Sequence, residues 1–240
     1  MTILTDQKKI QNIIQKYKLD QMLPKNLILQ GELVVFNKDE IILTANEPIN
    51  YFYFFLFGKL KLFRIYENGK TFLVQFYSEF DSLGDVELVN PQPASCSVTA
   101  VATSYLMRIP LEMMQREALE HIPFLKYLSR SLADKLLVAD MHHSTNLMYP
   151  VVNRLSSYIR AHAMNSKRLT LLDSLTDISE YLGTTYRQLH RAFDDLEEKG
   201  IIKRKGRTLE IIDTEALSAI AGSIYEIDHY IKQNAKPVAK

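Results

Sequence analysis

The stretch from Ser174 to Ile212 constrains this chain more than any other, because its start and stop signals recur at fixed spacing. Ser174 precedes Asp177 by three residues and Thr185 precedes Gln188 by three, the arrangement of a capping box, in which side chains satisfy the orphan N–H groups of a helix start. One helix is therefore expected from Leu175 and a second from Tyr186. Gly183 separates them, since a helix commonly closes on a left-handed residue that only glycine adopts without steric cost. In the second helix Leu189, Ala192, Phe193 and Leu196 recur at the 3/4 interval of a buried stripe, which leaves Arg187, His190, Arg191 and Asp194 on the opposite face. A helix, a glycine turn and a second helix with a polar outer face form the helix-turn-helix pattern, whose second helix reads the major groove through its N-terminal residues.

After Gly200, Ile201 and Ile202 lead into Lys203-Arg204-Lys205-Gly206-Arg207 and then Leu209, Ile211 and Ile212. This reads as a two-strand wing with glycine at its tip and cations suited to phosphate. Between Tyr186 and Arg207 seven Lys or Arg stand against four acids, a local excess of three. A plain helical hairpin with solvated charged faces is the competing reading. Two caps, a glycine turn, a two-faced helix and a basic wing in succession favour double-stranded DNA as the partner.

Net charge over all 240 residues is only +1, so affinity for nucleic acid has to come from such local segregation. The composition, 47% hydrophobic and 24% charged, is that of a globular protein of one or two domains. No run approaches the ~18 apolar residues of a membrane span, and the first residues lack a signal-peptide profile, so a cytoplasmic protein without a membrane partner is expected. One cysteine, Cys96, excludes an intrachain disulfide and is too few for a thiolate zinc site or a protein-held iron–sulfur cluster. No Gly-rich phosphate loop, H-E-x-x-H, G-x-S-x-G or recognisable carboxylate pair supports an enzyme.

Ahead of the helix-turn-helix the pattern changes twice. Residues 5–23 carry Ile10, Ile13, Ile14, Tyr17 and Leu19 on an imperfect helical stripe. From Leu27 to Pro110 short β-branched and aromatic runs alternate with turn signals, Asn68-Gly69 being the clearest hairpin, which predicts an antiparallel, jelly-roll-like β-barrel. The aromatic cluster Tyr51 to Phe57 is expected to be half core, by strand alternation, rather than a stacking platform.

Pro123 then opens a long helix in which Leu125, Leu128, Leu132, Leu136, Ala139 and His143 recur at intervals of 3, 4, 4, 3 and 4, broadened by Leu137, Val138 and Met141. Its apolar seam is wider than one side needs and predicts a homodimer, the rival being burial against the chain's own β-domain. His142 and His143 are neighbours on this helix, point about 100° apart and cannot share one metal ion in cis. Pro150 breaks the chain, Val152, Leu155, Tyr158 and Ile159 mark the next helix, and Thr214 is expected to cap a last one carrying Leu217, Ile220, Ile224 and Ile227 before a tail, 234–240, expected to be disordered. The resulting fold class is α+β: helix and β-domain over 1–122, connecting dimerisation helix over 123–149, and winged helix-turn-helix over 150–240.

This order and length resemble the CRP/FNR family of bacterial transcription regulators, and the likeness covers nearly the whole chain. Its most specific portion is residues 177–211, where Gly183, Leu196, Gly200 and Ile202 match the family framework and Arg191 matches an arginine late in the recognition helix. The resemblance implies a homodimer that docks two recognition helices in successive major grooves. Arg191 is then the first candidate for base contact, with guanine O6 and N7 as its acceptors, and Tyr186, Arg187 and His190 fill the other reading positions. Thr185, Gln188, Lys203, Lys205 and Arg207 complete the candidate DNA-binding set. Many members carry a glutamate at the position of Arg187, so the usual half-site is not expected.

The candidate effector pocket departs further. Cyclic-AMP-binding members read F-G-E-L and then R-S/T, where this chain has Leu83-Gly84-Asp85-Val86 and Ala94-Ser95, followed by Cys96. Asp85 shortens the carboxylate that the resemblance assigns to the ribose, and Ala94 removes the arginine that would neutralise the phosphate. Ala139 and Asp140 stand where the connecting helix would meet the base. Cyclic AMP is therefore not expected to bind at micromolar affinity, no cofactor is expected, and the effector is unassigned. The N-terminal cysteines of the family's cluster-bearing branch are absent. His121 and His142 are the only haem candidates, with structural roles as the competing reading, and Cys96 carries a thiol-oxidation hypothesis against a reading as a small apolar residue. RNA polymerase and a small-molecule effector stand as further candidate partners. The alternative class is a winged-helix protein-interaction module with a constitutive, ligand-free β-domain.

Overall fold

A computed structural model of the chain describes residues 1–67, 69, 71–163, 166–171, 173–222 and 224. Asn68, the tail 234–240 and Ile227 lie outside the described residues, as do the conformations expected for them. The chain divides into two compact units, one ending at Lys135 and the other starting at Leu136.

The first unit begins with β1 (Thr2–Leu4), α1 (Gln7–Lys16), α2 (Leu19–Met22) and α3 (Lys25–Gln30). Asp6 caps α1 by accepting from the Lys8 and Lys9 amides. The single helical stripe read over 5–23 is in fact interrupted, because Lys18 takes a left-handed φ of 52° that no helix continues through. Strands β2 (Glu32–Phe36), β3 (Ile41–Leu43), β4 (Tyr51–Ile65), β5 (Thr71–Tyr77) and β6 (Asp81–Leu83) follow, then the short helix α4 (Asp85–Val89) and β7 (Ser97–Pro110).

These strands form one antiparallel sheet in the order β1-β2-β7-β4-β5, with β3 on β7 and β6 on β4. It matches the expected jelly-roll-like architecture, although among the described residues the ladder runs from β1 to β5 without closing. The aromatic cluster on β4 is core: Phe52, Phe54 and Phe55 are fully buried, and Phe52 meets Phe124 edge-on at 5.8 Å.

After α5 (Leu111–Met113) and a π-helical turn, Met114–Ala118, comes α6 (Ile122–Met148), the expected connecting helix and the one element shared by both units. Phe124 and Leu128 sink into the β-domain core, whereas Leu136, Leu137 and Leu147 are 70%, 55% and 71% exposed. The apolar seam thus divides into a part that packs on its own unit and a part left open.

The second unit adds α7 (Val151–Ala163), β8 (Arg168–Thr170), α8 (Leu175–Tyr181), α9 (Tyr186–Glu198), β9 (Ile202–Lys205), β10 (Thr208–Ile211) and α10 (Thr214–Ala221). The wing is the antiparallel sheet β8-β10-β9, one strand more than expected. Leu155, Ile159, Leu189, Phe193, Leu196 and Leu209 are fully buried in its core. Phe124→Ala is expected to cost about 3–5 kcal/mol, the usual range for emptying a filled aromatic site. Urea unfolding followed by a probe in the β-domain checks it.

Candidate nucleic-acid interface

The expected caps form. Ser174 accepts from the Asp177 amide at 3.0 Å, and Thr185 and Gln188 make a reciprocal capping box. Between them Leu182 closes α8 and Gly183, at φ 58°, turns the chain, with the Gly183 and Thr184 amides donating back to Glu180 and Ser179. A side chain at Gly183 would suffer twice, because its Cβ would also stand 2.6 Å from the Asn146 amide nitrogen.

Helix α9 buries Leu189, Ala192, Phe193 and Leu196 and exposes Tyr186, Arg187, Gln188 and Arg191, with Thr185 exposed at its cap. His190 is half-buried, its ring 4.5 Å from that of Tyr186. Along β9, Lys203 and Lys205 point outward together while Ile202 faces the core.

Arg204, which a charge count assigns to phosphate, is instead structural. Its guanidinium lies 4.8 Å over the Phe193 ring and donates to Glu197 at 2.6 Å and Asp194 at 2.5 Å, while its backbone N–H donates to the same Glu197. The wing is thereby clamped to α9. Lys199 pairs with Asp195 at 2.8 Å. Arg207 donates to the Leu171 and Asp173 carbonyls, so it braces the approach to α8. Among the described residues Arg187, Arg191, Lys203 and Lys205 make no ion pair, and these four concentrate the usable positive charge on one end of α9 and one strand of the wing.

The candidate effector residues lie on other elements, around α4 and on α6. Asp85 is 4% exposed and accepts from Ser82 Oγ at 3.1 Å and from Lys135 Nζ at 2.5 Å. Lys135 also pairs with Asp81 at 3.0 Å and donates to the Ser82 carbonyl, and its ammonium stands 5.4 Å from the centre of the Tyr77 ring. Burial pushes the Asp81 carboxyl up despite Lys135. Burial alone would lower the Lys135 ammonium, but Tyr77, Asp81 and Asp85 around it hold it well above its ordinary value. Sequence reading missed Lys135, Asp81 and Glu87.

Glu87 is 5% exposed, and its carboxylate accepts the Ser95 amide at 2.7 Å, next to buried Ala94. Gly84, at φ 84°, turns the chain into α4. Ala139 and Asp140 are exposed on α6. Burial, reinforced by Glu87, pushes the Cys96 thiol up, which lowers its thiolate fraction and speaks against an oxidant sensor. His121 and His142 each engage a ring nitrogen within the protein, with the Met22 carbonyl at 3.1 Å and the Tyr181 hydroxyl at 3.2 Å. Among the described residues no group of three His, Cys, Asp or Glu is placed to hold a metal.

Comparison with known proteins decides the family. Residues 33–121 match the model of the cyclic nucleotide-binding domain and residues 153–220 that of the Crp-like helix-turn-helix domain, more than half of the chain between them. The chain belongs to the CRP/FNR family of DNA-binding transcription regulators. It is 24% identical over 218 residues to the anaerobic regulatory protein of Pasteurella multocida, covering 88% of this chain and 78% of that protein. It is 25% identical over 198 residues to the transcriptional activator protein anr of Pseudomonas aeruginosa, covering 79% and 80%.

The fold of this family member is similar to that of FixK2 from Bradyrhizobium japonicum (TM-score 0.65, 19% identity, 80% of this chain and 98% of that one). It is also similar to the c-di-GMP-responsive global regulator CLP of Xanthomonas campestris (TM-score 0.69, 13% identity, 78% and 96%). The relatives are regulators of transcription, not enzymes.

Lys135→Met would leave buried Asp85 and half-buried Asp81 without their cation, a loss expected to be at most about 3–5 kcal/mol at neutral pH. A carboxyl raised by burial contributes stability that is full below its unfolded value and lost as pH rises through its folded one. The variant's deficit should therefore shrink as pH falls through the carboxylate range. Thermal melting at pH 7 and pH 4.5 checks the sign, and a deficit that grows on acidification contradicts it.

Proposed function

We propose that this protein is a homodimeric, sequence-specific DNA-binding regulator that acts in the cytoplasm and does not respond to cyclic AMP. The observation that carries the reading is the pairing of a capped, solvent-facing α9 start with four exposed cations that make no ion pair among the described residues. Arg191 and Arg187 stand on the reading face with Tyr186 and Gln188, and Lys203 and Lys205 form a phosphate-facing row beside it. His190, tucked under Tyr186, supports the reading face more than it extends it. The exposed leucines of α6, Leu136, Leu137 and Leu147, suit a seam between two copies, which would set two α9 helices about one turn of DNA apart.

Two contacts argue against cyclic AMP. Lys135 already neutralises Asp85, the carboxylate assigned to the ribose, and Glu87 already occupies the Ser95 amide that would face the phosphate. An incoming phosphate would meet a buried carboxylate in place of the family's arginine, a like-charge contact in low dielectric. RNA polymerase and a different small effector fit the reading as further partners.

Selection from random duplexes should yield a near-palindromic site. Binding to it should weaken by roughly 10³-fold or more between 50 and 200 mM salt, as for several phosphate contacts per half-site. Arg191→Ala should remove the preference for that site, whereas Lys203→Ala and Lys205→Ala should weaken all duplexes about equally. Salt-insensitive binding, or binding only to another protein, would favour the protein-interaction alternative. Calorimetry should detect no micromolar binding of cyclic AMP, and an isotherm at that affinity overturns this part of the reading.

A further inference from the structure

We propose that Arg154 is a positioning residue for DNA recognition, fixing the turn of the helix-turn-helix to the last turns of α6. The inference rests on the DNA-binding reading and adds the element that aims α9. Arg154 projects from α7 and is 6% exposed, an unusual setting for a guanidinium. Its Nη1 donates to Asn146 Oδ1 at 2.8 Å and to the carbonyl of Leu182. Leu182 closes α8, so that carbonyl is among the acceptors a helix end leaves without an intrahelical partner.

Asn146 has a second role. Its side chain fills the space where Gly183 lacks a Cβ, so the α6 amide is seated against the turn itself. One helical turn earlier, on the same face of α6, His142 is 6% exposed and meets the Tyr181 hydroxyl at 3.2 Å. The last residue of α8, its cap and the turn glycine are thus each fastened to α6 directly or through Arg154. Helix α9 starts at Tyr186, three residues past Gly183, so the direction in which Arg187 and Arg191 leave the turn is fixed by these contacts.

The fork geometry matters. A guanidinium addresses two acceptors at a fixed angle, whereas an ammonium keeps the charge and serves them as a point. Arg154→Lys therefore tests aim with the charge retained. Asn146→Ala removes the other partner from a partly exposed site. Neither change touches the cations assigned to phosphate, so a defect of aim should lower specific binding and spare non-specific binding.

The experiment compares the full-length wild type, Arg154→Lys, Asn146→Ala and the double variant on two duplexes at one salt concentration. One duplex is that enriched by selection with the wild type, and the other is a scrambled duplex of equal composition. The specific-to-scrambled ratio is expected to fall about tenfold or more in each single variant, out of the 10³ or greater typical of such regulators, with scrambled binding changed less than about twofold. The double variant should lose less than the sum of the two single losses, since both remove the shared Arg154–Asn146 bond. An unchanged ratio, additive losses, or parallel weakening on both duplexes overturns the proposal. Where circular dichroism shows Arg154→Lys unfolded, Asn146→Ala alone decides. A wild type that never distinguishes the duplexes defeats the DNA reading itself, whereas discrimination retained in every variant defeats only the role of Arg154.

Discussion

The ammonium of Lys135 holds the β-domain to its helix. It reaches from α6 to Asp81 at the start of β6, to the Ser82 carbonyl and to Asp85 at the start of α4, positions some fifty residues away in the chain. Taking these charges out of water is expensive, and a hydrophobic trio of similar volume could be as stable. What an apolar trio would lack is direction. A leucine tolerates a rotation of its helix with little loss, but an ammonium on two carboxylates and a carbonyl accepts only one. The network thus fixes the azimuth of the part of α6 that packs on the β-domain.

Charge in the second unit is arranged on the same principle. Counted from sequence, the segment from Tyr186 to Arg207 carries a uniform surplus of cations. In the fold Asp194, Glu197 and Asp195 absorb Arg204 and Lys199, and Arg207 is turned onto two carbonyls. Surface ion pairs of this kind contribute little stability singly. Glu197 contributes more than a pair, because it holds both the backbone and the side chain of Arg204 and so ties the wing to the recognition helix. The remaining cations, Arg187, Arg191, Lys203 and Lys205, stay solvent-facing along the first turns of α9 and on β9.

Which features were legible in the sequence follows from how local their causes are. The caps at Ser174 and Thr185, the glycine at 183 and the stripe of α9 are decided within four residues, and each stands where the spacing placed it. The β-domain was legible as a class but not as pairings, because β1 on β2 joins residues some thirty apart and nothing in Thr2–Leu4 marks a strand. Residues 85–89, Asp-Val-Glu-Leu-Val, fall within the stretch read as strands because their polar and apolar residues alternate, whereas after the left-handed Gly84 they form α4. Lys135, Glu87 and Arg154 escape a sequence reading for one reason: a charged residue reads as solvent-facing until its distant partner is known. His142, which the sequence sets beside His143 on the connecting helix, is buried for the same reason.

The same buried contacts bear on what could act as an effector. A ligand that engaged Asp85 would first have to part it from Lys135, and separating a buried pair costs about 3–5 kcal/mol, or roughly 10²–10³ in affinity before any new contact is made. A ligand that bound the Ser95 amide would have to displace Glu87, whose carboxylate would then need a cation that the loop at Ala94 does not offer. An anion gains least from such a site. The charges that a ligand there would have to use are already paired with one another inside the β-domain, so binding has first to undo that pairing.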